Sequence, residues 1–339
     1  MKRCFVIVVL ILAINMHAKA DTTQKQIINL PSYAQTQPKT HTFSSISITG
    51  QNGSINVPSA FIKQYVGGVA IYNAYTYQSN MLTNGDSLNN DTVYGAFSFA
   101  PLKYLELSIS TSNSTSRINS QQTLKYYGDL RFGIKAGYSI MPQLGIAVLG
   151  EILTYSKAGN SDYAGYNADA TGYTLSFLVS YDMLDSSLSF PMIANLRVGY
   201  LWDNTQKLIT SNENNFIPPI GKYAMGIRGD NLTLLGVSLL FPFPAYYIEP
   251  MLEFTSQFAN TYSSYASTDT MFTHVSFNQN PVYLTPGIIF YTPVDGLRIA
   301  VGVQLSTSRK LNLSTGPAYS SPQTVWVTGI SYSISRKMQ

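Results

Sequence analysis

The chain has 339 residues, of which 45% are hydrophobic, 13% aromatic and only 11% charged, with a formal net charge of +4. So small a basic excess gives no ground for a nucleic-acid partner. One cysteine, Cys4, excludes a disulfide scaffold and a thiolate metal site. With 25 Tyr and no uninterrupted apolar run of helix-spanning length, the composition suits strands that meet lipid on one face and water on the other.

At the start, Lys2 and Arg3 precede an apolar run from Cys4 to Ile14, and Ala18-Lys19-Ala20 stands before Asp21. That order predicts a secretory signal peptide over 1–20, cleaved after Ala20, because the run is shorter than the ~20 residues a spanning helix needs. Cys4 leaves with it. Loss of Lys2, Arg3 and Lys19 leaves 18 basic against 17 acidic residues. Residues 21–60 are polar and turn-rich, with Gln24, Gln26, Pro31, Gln35, Pro38 and Gly50. They are expected to be a periplasmic segment that either hangs free or tucks into a barrel mouth as a lumen plug.

From residue 61 to 339 the pattern predicts an all-β fold, a transmembrane antiparallel up-and-down β-barrel. The expected strands are 65–78, 92–100, 104–112, 123–140, 144–156, 171–183, 192–204, 222–241, 245–259, 281–292, 297–308 and 324–335. That is about twelve, with ten or fourteen left open, because the first alternates poorly and the eighth is long, with Leu232 and Leu234 on its polar face. The clearest alternation, Leu124 to Ile140, sets Leu130, Phe132, Ile134 and Tyr138 against Asp129, Arg131, Gly133 and Lys135. Tyr126 and Tyr138 lie twelve residues apart. At ~3.3 Å rise and ~45° tilt this spans about 28 Å, close to the height between the aromatic girdles of a barrel. Short connections near 101–103, 141–143, 185–191, 242–244 and 294–296 alternate with longer polar ones near 79–91, 113–122, 157–170, 205–221, 260–280 and 309–323. An even strand number puts both chain ends on the short-turn side.

In the last strand, Gly329-Ile330-Ser331-Tyr332-Ser333-Ile334 resembles the Gly-x-x-aromatic-x-hydrophobic pattern that closes Gram-negative outer-membrane barrels, although Ser335 to Gln339 follow in place of a terminal Phe. The stretch from Thr49-Gly50 through Ile55-Asn56-Val57-Pro58-Ser59-Ala60 looks like the lead-in of some porin-like barrels. The resemblance is to that superfamily and implies outer-membrane lipid and the barrel-assembly machinery as partners, the latter through the C-terminal strand.

The alternation places Glu106, Lys125, Asp129, Arg131, Lys135, Glu151, Asp182, Arg197, Asp203, Arg228, Asp230, Glu249, Glu253 and Arg298 on the inner face. Either these charges line a hydrophilic pore or they pair across the lumen and fill it. Tyr126, Tyr138, Tyr200, Trp202, Trp326 and Tyr332 are the expected girdle residues. His274-Val275-Ser276 resembles the His-x-Ser pair of outer-membrane phospholipase A, but Phe277 follows where that family has Asn, and Ile288 stands where it places a second Asn. No cofactor, metal or catalytic group is expected. The pattern implies a porin-like channel or transporter for small hydrophilic solutes in the bacterial outer membrane. A structural or surface-adhesion barrel acting through its outer loops is the alternative, and an outer-membrane phospholipid hydrolase stands behind both.

Overall fold

The computed structural model describes residues 45–62, 65–79, 87–118, 122–156, 169–183, 191–208, 231–259, 282–307 and 324–335. All of the described residues belong to one compact unit. Twelve strands follow in chain order: β1 (Tyr65–Ser79), β2 (Ser87–Leu102), β3 (Leu105–Ile118), β4 (Gln122–Met141), β5 (Leu144–Tyr155), β6 (Ala170–Asp182), β7 (Ile193–Trp202), β8 (Leu232–Leu240), β9 (Ile248–Ala259), β10 (Val282–Tyr291), β11 (Leu297–Ser306) and β12 (Thr324–Ser335). Each pairs antiparallel with its chain neighbours, and β12 closes on β1 from Tyr65↔Ser335 to Tyr77↔Thr324. Closure leaves no free edge, so every strand has a partner on both sides. No helix among the described residues is long and apolar enough to cross a membrane.

Parity decides which residues face out. Val69, Ile71, Phe97, Phe99, Leu107, Ile109, Phe132, Ile134, Val148, Ile152, Leu175, Phe177, Leu252, Phe254, Ile299, Val301 and Ile330 are exposed on the outer wall. A continuous apolar band of this kind is stable in hydrocarbon and would drive aggregation in water. The sheet is therefore built with lipid outside, and the core of the molecule lies inside the ring.

Several strand ends differ from the sequence expectation. β2 starts at Ser87, and β3 runs on to Ile118, so the long connection expected over 113–122 is mostly strand. Asn113 to Ser116 look like loop by composition, yet Asn113 pairs with Val93 and Thr115 with Asp91. A closed ladder supplies backbone partners whatever the side chain, and this overrides polar composition. β8 is short, Leu232–Leu240, and residues 222–230 of the expected strand lie outside the described residues. β1 does alternate, with Gly68, Ala70, Tyr72, Ala74 and Thr76 turned inward. Its alternation was masked because that inner face is apolar.

Candidate functional site: the occupied lumen

Residues 45–62 lie inside the barrel. Ile46, Ser47, Gln51, Ser54, Ile55 and Val57 are all 0–1% exposed. A chain inside a closed sheet finds no strand edge to join, so its backbone groups need other partners. Some are met within the segment, by bridges Ile46↔Asn52 and Gly53↔Pro58 and by hydrogen bonds such as Ser47 N–H to Gln51 O at 2.8 Å. The rest go to the wall. The Asn52 N–H donates to Glu106 Oε1 at 2.8 Å, Asn56 N–H to Glu253 Oε1 at 2.9 Å, and Ala60 N–H to Ser180 Oγ at 2.7 Å.

Apolar packing adds to this hold. Ile46, Ile55 and Ile62 cluster with Ala70, Tyr72, Ala96, Met251, Ile289, Ala300 and Val327 of the wall. The interior is thus not uniformly polar, as the strand charges alone suggested. Three buried isoleucines at ~1.5–3 kcal/mol each make the hold substantial. Room for the segment comes from glycines on the inward parity. A side-chain carbon at Gly137 would stand 2.8 Å from Ala60 O, and Gly133, Gly145, Gly236 and Gly302 likewise face the segment. At the barrel seam, Gly329 of β12 lies opposite Tyr72 of β1 and leaves space for its ring. The Tyr72 hydroxyl donates to Ile46 O at 2.5 Å, tying the closing strand pair to the segment.

The predicted inner charges fall into three clusters and one solitary carboxylate. In the first, Glu151 takes Arg197 Nη2 at 3.0 Å and Thr174 Oγ1 at 2.7 Å on one oxygen. Its other oxygen takes Gln51 Nε2 at 3.2 Å, with Arg131 Nη1 at 3.5 Å. In the second, Lys135 pairs with Glu106 and donates to Ser59 O at 2.9 Å, while Ser98 Oγ donates to Glu106 at 2.8 Å. In the third, near the short turns, the Tyr291 hydroxyl donates to Glu249 and the Arg298 guanidinium stands 4.7 Å over the Tyr291 ring. Glu253 stands apart from all three and is held by Asn56 and Val57.

Other predicted residues do not join these clusters. Asp129 accepts the Ser156 N–H at 2.9 Å, and Asp182 is half-buried at the last position of β6. Asp203 is a correction: it lies one residue past β7, and its carboxylate accepts the Thr205 N–H at 2.7 Å, capping the 3-10 turn Thr205–Leu208 instead of lining a strand. Lys125 and Tyr126 have side chains outside the described residues. Their backbone register is described, and it shifts between Ser112 and Asn113 of β3, so Lys125 pairs with Thr115 and Tyr126 with Ser114. Arg228 and Asp230 lie outside the described residues, as do His274 and Ser276.

Of the expected girdle residues, Tyr138 and Tyr332 are exposed on the outer wall near the short turns, and Trp202 and Trp326 near the opposite strand ends. Tyr200 sits beside Trp202, ring centroids 4.7 Å apart. Sequence reasoning missed the inward glycines and the segment isoleucines as partners. The signal was present in the recurrence of Gly on the charged parity of β4, β5 and β11.

No protein-family model matches the chain, and no curated protein does. Among solved structures, an outer membrane channel from Pseudomonas putida F1 is 7% identical with a TM-score of 0.49, covering 88% of this chain and 100% of that one. KdgM porin is 8% identical with a TM-score of 0.44, over 78% of this chain and 99% of that one. The translocator domain of the autotransporter NalP from Neisseria meningitidis is 9% identical, TM-score 0.44, over 78% of this chain and 87% of that one.

Proposed function

We propose that this chain is a bacterial outer-membrane barrel that passes small hydrophilic solutes, and that residues 45–62 form the gate that closes it. The observation that carries this reading is the mode of attachment. Much of the segment's grip on the wall is polar, through Glu106, Glu151, Glu253, Ser180 and Lys135. Water and a hydrophilic solute offer the same kinds of partner, so these groups can exchange the segment for either without being stranded. The three isoleucines keep the resting state closed and spontaneous openings rare.

Planar-bilayer recording on the refolded full chain tests the reading. The expected result is brief, infrequent openings that become frequent in Gly137→Val, where the added side chain collides with Ala60 O. Silence of both proteins, each correctly folded, would leave a structural barrel as the better account.

A further inference from the structure

Glu253 lies on the inner face of β9, fully buried, with Ser238 of β8 and Thr285 of β10 as its cross-strand neighbours. Its Oε1 accepts the N–H groups of Asn56 at 2.9 Å and Val57 at 3.3 Å, and its Oε2 accepts the Asn56 side-chain amide at 2.7 Å. Every one of these donors is neutral and belongs to the inner segment. Glu106 and Glu151, by contrast, each meet a Lys or Arg of the wall.

Thr285 supplies a second, independent observation. Its hydroxyl is fully buried beside Glu253 and has no hydrogen-bond partner. Ser238 on the other side is already engaged, accepting Asn195 Nδ2 at 2.9 Å. A buried carboxylate flanked by an idle hydroxyl is an incomplete arrangement, since each unmet polar group costs about 1–3 kcal/mol. A protonated primary amine would complete it: it carries three N–H donors on one cationic atom, enough for both carboxylate oxygens and the hydroxyl.

We propose that Glu253 and Thr285 form a recognition site for solutes bearing a protonated primary amine, which Asn56 and Val57 occupy by imitation while the lumen is closed. The proposal rests on the channel reading and names its solute class. An arriving ammonium replaces neutral donors by a charged one at the same oxygens, so the solute competes with the segment for its hold on β9 and favours opening.

The test uses the full refolded chain and two readouts, with n-butylammonium as probe and tetramethylammonium, which has no N–H, as control at matched ionic strength. Binding is followed by ligand-observed NMR in detergent micelles, and opening by planar-bilayer recording, with heat-modifiable gel migration confirming that each variant is folded. The expected result is saturable butylammonium binding, roughly tenfold stronger than that of tetramethylammonium, which has no N–H to give the carboxylate, one charge-assisted hydrogen bond being enough for that factor. Glu253→Gln abolishes that preference, Thr285→Val weakens it several-fold, and butylammonium raises opening frequency in the parent alone. Equal binding of the two cations, or binding unchanged in Glu253→Gln, would overturn the site while leaving the channel reading intact. Glu253-dependent binding to a barrel that never conducts would uphold the site and remove the channel reading. An equal response to calcium would assign Glu253 to inorganic cations and also overturn the proposal.

Discussion

Two stretches of the inner wall hold the same segment in different ways. On β4 to β7, Glu151 is gripped by Arg197, Arg131 and Thr174, all wall residues, and Gln51 of the segment only adds to a charge already balanced. On β8 to β10, Glu253 has no such support and depends on Asn56 and Val57. Glu151 is balanced without the segment; Glu253 is not. A buried charge that is paired within the sheet belongs to the barrel's stability, whereas one satisfied by a separable element belongs to the equilibrium between closed and open.

The contrast can be broken most sharply at Arg197. Exchanging Arg197→Ala strips a nearly buried carboxylate of its closer cation, so the folded barrel is expected to lose ~3–5 kcal/mol in denaturant unfolding from lipid vesicles. A loss under 1 kcal/mol would mean that the first wall is not self-sufficient. Asn56→Ala touches only the second wall. It removes one charge-assisted hydrogen bond worth ~1.5–3 kcal/mol from the closed state, so opening frequency in bilayers should rise about tenfold or more, with a loss of unfolding free energy no larger than that one bond. A large fall in unfolding midpoint without added openings would reverse the assignment.

Arg131 sharpens the comparison from the other side. Its side chain is 29% exposed and stands 3.5 Å from Glu151, so Arg131→Ala should cost no more than ~1 kcal/mol in the same unfolding measurement, because Arg197 remains. Smallest of all for the lumen is Tyr138→Ala on the outer wall, 71% exposed near the short turns. It should slow insertion into vesicles and leave channel behaviour unchanged; altered gating would show that the outer face is coupled to the segment.

The strand faces of this barrel were legible because period-two alternation between lipid and lumen is written into each strand separately. Phe132 and Ile134 against Arg131 and Lys135 need no knowledge of a neighbour. Which charges meet was not legible, because the pairing of Glu151 with Arg197 depends on the register of β5, β6 and β7 together, and one strand's sequence does not contain its neighbours' stagger. Docking of residues 45–62 was hidden for a related reason. Ile46, Ile55 and Ile62 follow no helical or strand period, since each drops into space left by wall residues far away in sequence, Ile55 beside Gly302 being one case. The β3 extension was missed because Asn113 to Ser116 carry loop composition on a closed ladder. Asp203 was misplaced because parity counting does not show where a strand ends and a capped turn begins.

If residues 45–62 open and close the lumen, tethering Ser59 to the wall must hold it shut. Ser59 Oγ lies 3.2 Å from Ser180 Oγ of β6, so Ser59→Cys with Ser180→Cys places two thiols within bridging reach in a chain whose one native cysteine is Cys4. The bridged protein should be silent in a planar bilayer, and reduction of the same membrane with dithiothreitol should restore openings at the frequency of the unbridged chain. Equal conductance before and after reduction, with the disulfide confirmed by mass spectrometry, would contradict the account.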